Sequence, residues 1–151
     1  MAEYFDISLI IKKTNTSKAV VGHYLARYGL SEGQNDSEYF SGNKVILSTI
    51  DDEELDFHEI VISLSEYIFH KETFEIELSY LTRFINKCFE DCNDIVFALC
   101  SYELNGYLLA GIKKLSGITE ELLCKFPICY LRQDKDKHPY LKLNLIAQEI
   151  W

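Results

Sequence analysis

The chain has 151 residues, a net charge of −9 and 48% hydrophobic residues. That length suits one domain over residues 1–151, and that apolar content excludes a wholly disordered chain. The negative charge repels phosphate backbones, so it argues against a nucleic-acid partner and for a basic protein partner.

The start, MAEYFDISLI, has no basic stretch followed by a long apolar one, so a secretory signal is not expected. No uncharged apolar run approaches the roughly 18–20 residues that a membrane helix needs. The expected location is the cytoplasm, with no membrane partner. There the five cysteines, Cys88, Cys92, Cys100, Cys124 and Cys129, are expected to be reduced and, inside apolar runs such as FALCSY and PICYL, to act as small hydrophobes.

Tyr4–Lys12 (YFDISLIIK) is rich in β-branched and aromatic residues and reads as a strand. Ser17 to Tyr28 follows with Val20, Val21, Tyr24, Leu25 and Tyr28 at helical spacing, Ser17 as N-cap and Gly29 as the stop. Ser31 to Asn43 is a polar loop interrupted by Tyr39 and Phe40, and Lys44–Thr49 is a second strand. Asp51, Asp52, Glu53, Glu54 and Asp56 form the densest acidic cluster. They precede Phe57, Ile60, Val61, Leu64 and Ile68, whose spacing predicts a helix with acids at its N-terminus, where they complement the macrodipole.

A second long helix is expected over about Phe74 to Asp91, with Leu78, Leu81, Phe84, Ile85, Cys88, Phe89 and Cys92 as its stripe, either separated from the first by a break near His70–Thr73 or continuous with it as one kinked helix. Asp94–Tyr102 is nearly all apolar and reads as a central strand buried on both faces. Asn105–Gly106 reads as a turn, with Tyr107–Ala110 as a returning strand or extended segment and Glu103 solvated beside the turn. Thr119–Lys125 predicts a short helix, Pro127–Leu131 a closing strand, and Tyr140–Trp151 an apolar tail packed on the body or on another chain. The expected fold is α+β: a mostly antiparallel or mixed sheet of about four to five strands, with helices mainly on one face.

Residues that carry chemistry are hard to assemble. The seven glycines are scattered, with no phosphate-binding spacing. Cys88 and Cys92 share a helical face and would need His58 or His70 to hold zinc. Their place on the apolar stripe reads instead as core packing. His23, His58, His70 and His138 sit in amphipathic segments or a charged loop, and nothing brings one to a nucleophile. The expectation is therefore a non-enzymatic binding protein without cofactor or metal.

The DISLII strand, the RYGL helix end, FALCSYELNGYLLA and FPICYL together resemble an uncharacterised bacterial domain family over roughly Tyr4 to Leu131. In size and acidity the chain is similar to immunity proteins of contact-dependent growth inhibition and related polymorphic toxin systems. That resemblance implies a cytoplasmic protein that binds a cognate toxin domain, often a nuclease and often basic. On this reading the contact surfaces are Asp51, Asp52, Glu53, Glu54 and Asp56, and the loop with Glu32, Asp36, Glu38, Tyr39 and Phe40. The acids would steer the partner, and Tyr39 and Phe40 would anchor it. The alternatives are a self-assembling scaffold protein using Leu141–Trp151, and an enzyme whose site is assembled in space.

Overall fold

Strand β1 (Tyr4–Lys12) shows how one sequence serves two layers. Phe5, Ile7, Leu9 and Ile11 point to one face and are fully buried, while Asp6, Ser8 and Ile10 point to the other. The computed structural model describes residues 4–14, 33–34, 44–50, 52–65, 69–103, 105–132 and 140–144. The expected helix over 17–28, most of the 31–43 loop and the tail beyond 144 lie outside the described residues.

β2 (Gly33–Gln34), β3 (Lys44–Ile50), β4 (Phe57–Ser65), β5 (Ile95–Tyr102), β6 (Ile128–Leu131) and β7 (Tyr140–Leu143) join β1 in one open sheet of order β2-β3-β4-β1-β5-β6-β7. Every pairing is antiparallel. The α+β class therefore holds, with seven strands where four to five were expected.

Helix α1 (Phe74–Asp91), the first long helix among the described residues, covers the span the sequence predicts. Its buried stripe of Leu81, Phe84, Ile85, Cys88 and Phe89 packs on Phe5, Ile7, Leu9 and Ile11 of β1 and Ile60, Ile62 and Leu64 of β4. Each such side chain contributes roughly 1.5–3 kcal/mol by leaving water. At the helix start the Glu77 carboxylate accepts from Thr73 Oγ1 at 2.7 Å and from the His70 amide at 2.8 Å, which ties the first turn to the segment before it.

The helix expected over 57–68 is instead strand β4. Phe57, Ile60, Val61 and Leu64 do fit a helical stripe, but Ile60, Ile62 and Leu64 also alternate. β1 and β3 supply hydrogen-bond partners along both edges of the segment. The β-branched run Ile60-Val61-Ile62 favours the strand as well.

The long helix lies on one face, but helical turns cover the other as well. A second core lies on the opposite face, where Ile10, Leu99 and Cys129 meet Leu109, Ile118, Leu122, Leu123 and Phe126. Those residues come from α2 (Asn105–Leu108), α3 (Glu120–Leu123) and the turns around them. The expected strand or extended segment Tyr107–Ala110 is therefore a helical turn. The turn carries Leu109 into the second core and leaves Tyr107 80% exposed. Gly111, at φ +81°, takes the left-handed step that leads out of it.

α3 is held by its cap, since Thr119 Oγ1 accepts from the Leu122 amide at 3.3 Å. Thr119→Ala is expected to cost about 1 kcal/mol in urea unfolding, and Thr119→Ser much less. Equal losses for the two variants would assign the effect to packing rather than capping.

All five cysteines are free; Cys88, Cys92, Cys100 and Cys129 are buried and Cys124 is exposed. Burial pushes the Cys129 thiol up to about 11, so it is not a ready nucleophile. Of the apolar tail, Leu141 packs on the core beside Tyr130. Among the described residues no helix is long and apolar enough to cross a membrane.

Candidate functional site

The acidic cluster does not cap a helix. Asp52, Glu53, Glu54 and Asp56 occupy the connection between β3 and β4, a hairpin tip, and all four are exposed. Asp52 Oδ1 accepts from the Glu54 amide at 2.9 Å and so shapes the turn. Lys13 Nζ, at the end of β1, donates to the carbonyls of Asp52 at 3.1 Å and Leu55 at 2.8 Å. Asp56 Oδ1 accepts from the Leu115 amide at 2.7 Å, and Lys113 pairs with Glu54 at 2.9 Å. Glu54 and Asp56 thus fasten the hairpin to the segment after α2, while Asp52 and Glu53 remain at the tip. Asp51, Glu32, Asp36, Glu38, Tyr39 and Phe40 lie outside the described residues.

Between the hairpin and α2 runs a cleft of about 250 Å³. Ile50, Leu55 and Phe57 form one wall; Gly106, Leu109, Gly111, Ile112 and Lys113 form the other; Asp52 and Glu59 also line it. Glu59 stands on β4 opposite Ile10 of β1 and is only 6% exposed. Burial raises its pKa, a hydrogen bond from Ser8 opposes that, and the charge of Asp6 adds to it. Asp6 is likewise raised by burial, against a 2.7 Å hydrogen bond from Ser63 Oγ, with Glu103 adding repulsion.

Asn105 ties this floor to α2. It is 1% exposed, its Nδ2 donates to Ser8 Oγ and to the Leu99 carbonyl at 2.8 Å each, and its Oδ1 accepts from Ser101 Oγ. Because Ser8 Oγ accepts from Asn105, its own hydrogen is left to serve Glu59. The chain of bonds runs from Asn105 through Ser8 to the carboxylate in the cleft.

Asp6 and Glu59 lie on one face of the sheet, where the charge of Asp6 adds to the rise at Glu59. Asp6 faces Ser63 and Glu59 faces Ile10, four residues further along β1. What the cleft can do is hold positive charge against apolar walls.

Glu59 carries a pH prediction with a definite sign. Its folded pKa lies above its ordinary value of 4.5. Its contribution to stability is therefore fully present below that value and is lost as pH rises through the folded pKa. Glu59→Gln, which has no charge to desolvate, is expected to melt above the wild type near pH 7. The gap should close near pH 4, as read by circular dichroism. A variant that is less stable near pH 7 would overturn this.

Sequence reasoning missed Glu59, Ser8 and Asn105. The signal lay in the polar positions of two apolar strands, DISLII and FHEIVISLS, which the two-residue period puts on one sheet face. Fold and cleft together define an α+β domain whose open antiparallel sheet carries an acid-lined cleft beside one hairpin. No family model, no curated protein and no solved structure matches the chain.

Proposed function

We propose that this chain is an immunity protein of the contact-dependent growth inhibition or polymorphic toxin type. It binds a basic toxin domain, such as a nuclease, in the cytoplasm and so neutralises it. The observation that carries this reading is the exposed hairpin tip of Asp52, Glu53, Glu54 and Asp56 beside a cleft that Asp52 and Glu59 line, on a chain of net charge −9. Complementary charge of this kind speeds the encounter with a cationic partner and selects it. Ile50, 41% exposed at the cleft wall, and Tyr107, 80% exposed on α2, supply apolar contact beside the acids.

The test is capture of partners from the native host on the tagged chain at low and at high salt, with identification by mass spectrometry. Stoichiometric recovery of one basic toxin fragment supports the reading; recovery of nothing overturns it. With that fragment in hand, Asp52→Asn combined with Glu53→Gln should slow association at low salt and have little effect at high salt. These two are chosen because Glu54 and Asp56 also hold the hairpin in place.

A second reading rests on β7, the last strand of the sheet, where Tyr140 and Leu143 are exposed. An edge strand of that kind is a template for adding a strand from a second copy. Recovery of the chain alone in the capture experiment, together with a dimer mass in light scattering, would favour self-assembly. A monomer with and without the tail beyond residue 144 would exclude it.

A further inference from the structure

The cleft has a chemistry narrower than a general attraction for basic surfaces. Its walls are apolar, with Ile50 and Phe57 on one side and Leu109 and Ile112 on the other. Its polar lining is Asp52, Lys113, which is paired with Glu54, and a carboxylate, Glu59, held almost out of solvent at 6% exposure. Small-molecule pockets take roughly 300–1,000 Å³, and this cleft offers about 250 Å³, which is room for one long side chain. Side chains that are apolar along their length and charged at the tip are lysine and arginine.

The ammonium groups that touch the hairpin are already engaged. Lys113 is paired with Glu54, and Lys13 donates to the carbonyls of Asp52 and Leu55. Glu59 receives its hydrogen bond from Ser8, whereas an ionised carboxylate has about four acceptor sites. Asp52, on the same lining, lies between the cleft and solvent and adds charge of the same sign.

From this geometry we infer that the cleft receives a single lysine or arginine side chain of the protein partner. Its aliphatic stem lies between Ile50 and Phe57 on one side and Leu109 and Ile112 on the other, and its cation rests on the Glu59 carboxylate. This deepens, and rests on, the reading of the chain as a binder of a basic protein domain. The hairpin acids attract the partner, and the cleft fixes where one of its cations ends.

The test uses the full chain and three probes at constant ionic strength: acetyl-Gly-Lys-Gly-amide, its arginine counterpart and its norleucine counterpart. Binding is followed by amide chemical shifts. The lysine and arginine peptides are expected to give saturable shifts at Ile50, Phe57, Glu59, Leu109 and Ile112, with dissociation constants on the order of 1–10 mM. The norleucine peptide should bind about tenfold more weakly or less, the scale of one charge-assisted hydrogen bond. Glu59→Gln should weaken the lysine peptide by a similar factor, whereas Glu53→Gln, at the exposed tip, should change it by less than about twofold. Ile112→Trp, which fills the cleft from its wall, should abolish the saturable shifts even if Glu59→Gln perturbs the fold.

Equal binding of the norleucine peptide, non-saturating shifts spread over the hairpin acids, or undiminished binding by the Glu59→Gln and Ile112→Trp variants would each overturn the inference. So would butylammonium binding tenfold more tightly than the peptides, which would mark a site for a free amine. No toxin enters this titration. Silent probes would sink the insertion while leaving capture of a basic domain standing. Saturable probe binding with no captured domain would sink the toxin reading and leave the cation site.

Discussion

Arg132→Ala is expected to cost the fold roughly 3 kcal/mol in urea unfolding, because one guanidinium holds together the end of α1 and the start of β5. Its Nη2 donates to the carbonyls of Phe89 and Cys92 at 2.8 Å each, and its Nε donates to the Ile95 carbonyl at 2.7 Å. The same group lies 4.9 Å from the centroid of the Phe89 ring. The last carbonyls of a helix have no partner within it, and a cation there also complements the negative end of the dipole. Each hydrogen bond to a charged group contributes about 1.5–3 kcal/mol net. The site is half-buried, so water recovers part of the loss. Arg132→Lys should restore less than half, since an ammonium cannot reproduce the planar fork that reaches all three carbonyls. Hydrogen exchange supplies a local signature: the Cys92 amide, bonded to the Cys88 carbonyl at 3.0 Å, should exchange faster in the alanine variant. A loss under about 1 kcal/mol, or full rescue by lysine, would show that β5–β6 pairing alone fixes this corner.

The sequence made some of this legible and hid the rest for identifiable reasons. α1 was readable because Leu81, Phe84, Ile85, Cys88 and Phe89 recur at helical spacing, although Phe74, Ile76, Leu78 and Tyr80 before them alternate. β5 was readable as a central strand because both of its faces carry apolar residues: Ala98 and Cys100 under α1, Phe97 and Leu99 under the opposite layer. β4 was misread for a related reason. Phe57 and Val61 lie on one face while Ile60, Ile62 and Leu64 lie on the other. A strand that is apolar on both faces also satisfies a helical stripe, and the acids in front of it imitated a helix start. Once β4 is a strand, those acids move from a helix N-terminus to a hairpin tip.

YLLA was misread because local pattern says nothing of the side chain that precedes it. Asn105 is buried among β1 and β5 residues nearly a hundred positions apart in the chain, and that docking turns the segment back into a helical turn. The cleft was the least legible feature. Glu59 is one of 24 acidic residues, and what distinguishes it is burial beside a wall supplied from residues 106–113, which only the folded sheet brings near.

The second large effect is expected at Asn105 and bears directly on that cleft. Asn105→Leu has the bulk to fill the space but no polar atoms. It would leave Ser8 and Ser101, both fully buried, and the Leu99 carbonyl without the partners they now have in Asn105. Each buried polar group left unsatisfied costs about 1–3 kcal/mol, so a total loss of roughly 3–5 kcal/mol is expected. Asn105→Asp is the more informative change. A carboxylate has no hydrogen to give the Leu99 carbonyl unless it is protonated, and ionised it would sit buried beside Ser8, whose hydrogen serves Glu59. Its folded pKa should therefore be raised. By the linkage already applied to Glu59, the variant should be closest to wild type at acid pH and fall away as pH rises. Competition between two carboxylates for the Ser8 hydroxyl should also weaken the lysine-peptide response at Glu59 wherever the variant remains folded. If Asn105→Asp instead matched the wild type at neutral pH, Asn105 would not be setting the direction of the hydrogen-bond chain. Glu59 would then hold its place in the cleft through the β1–β4 register alone.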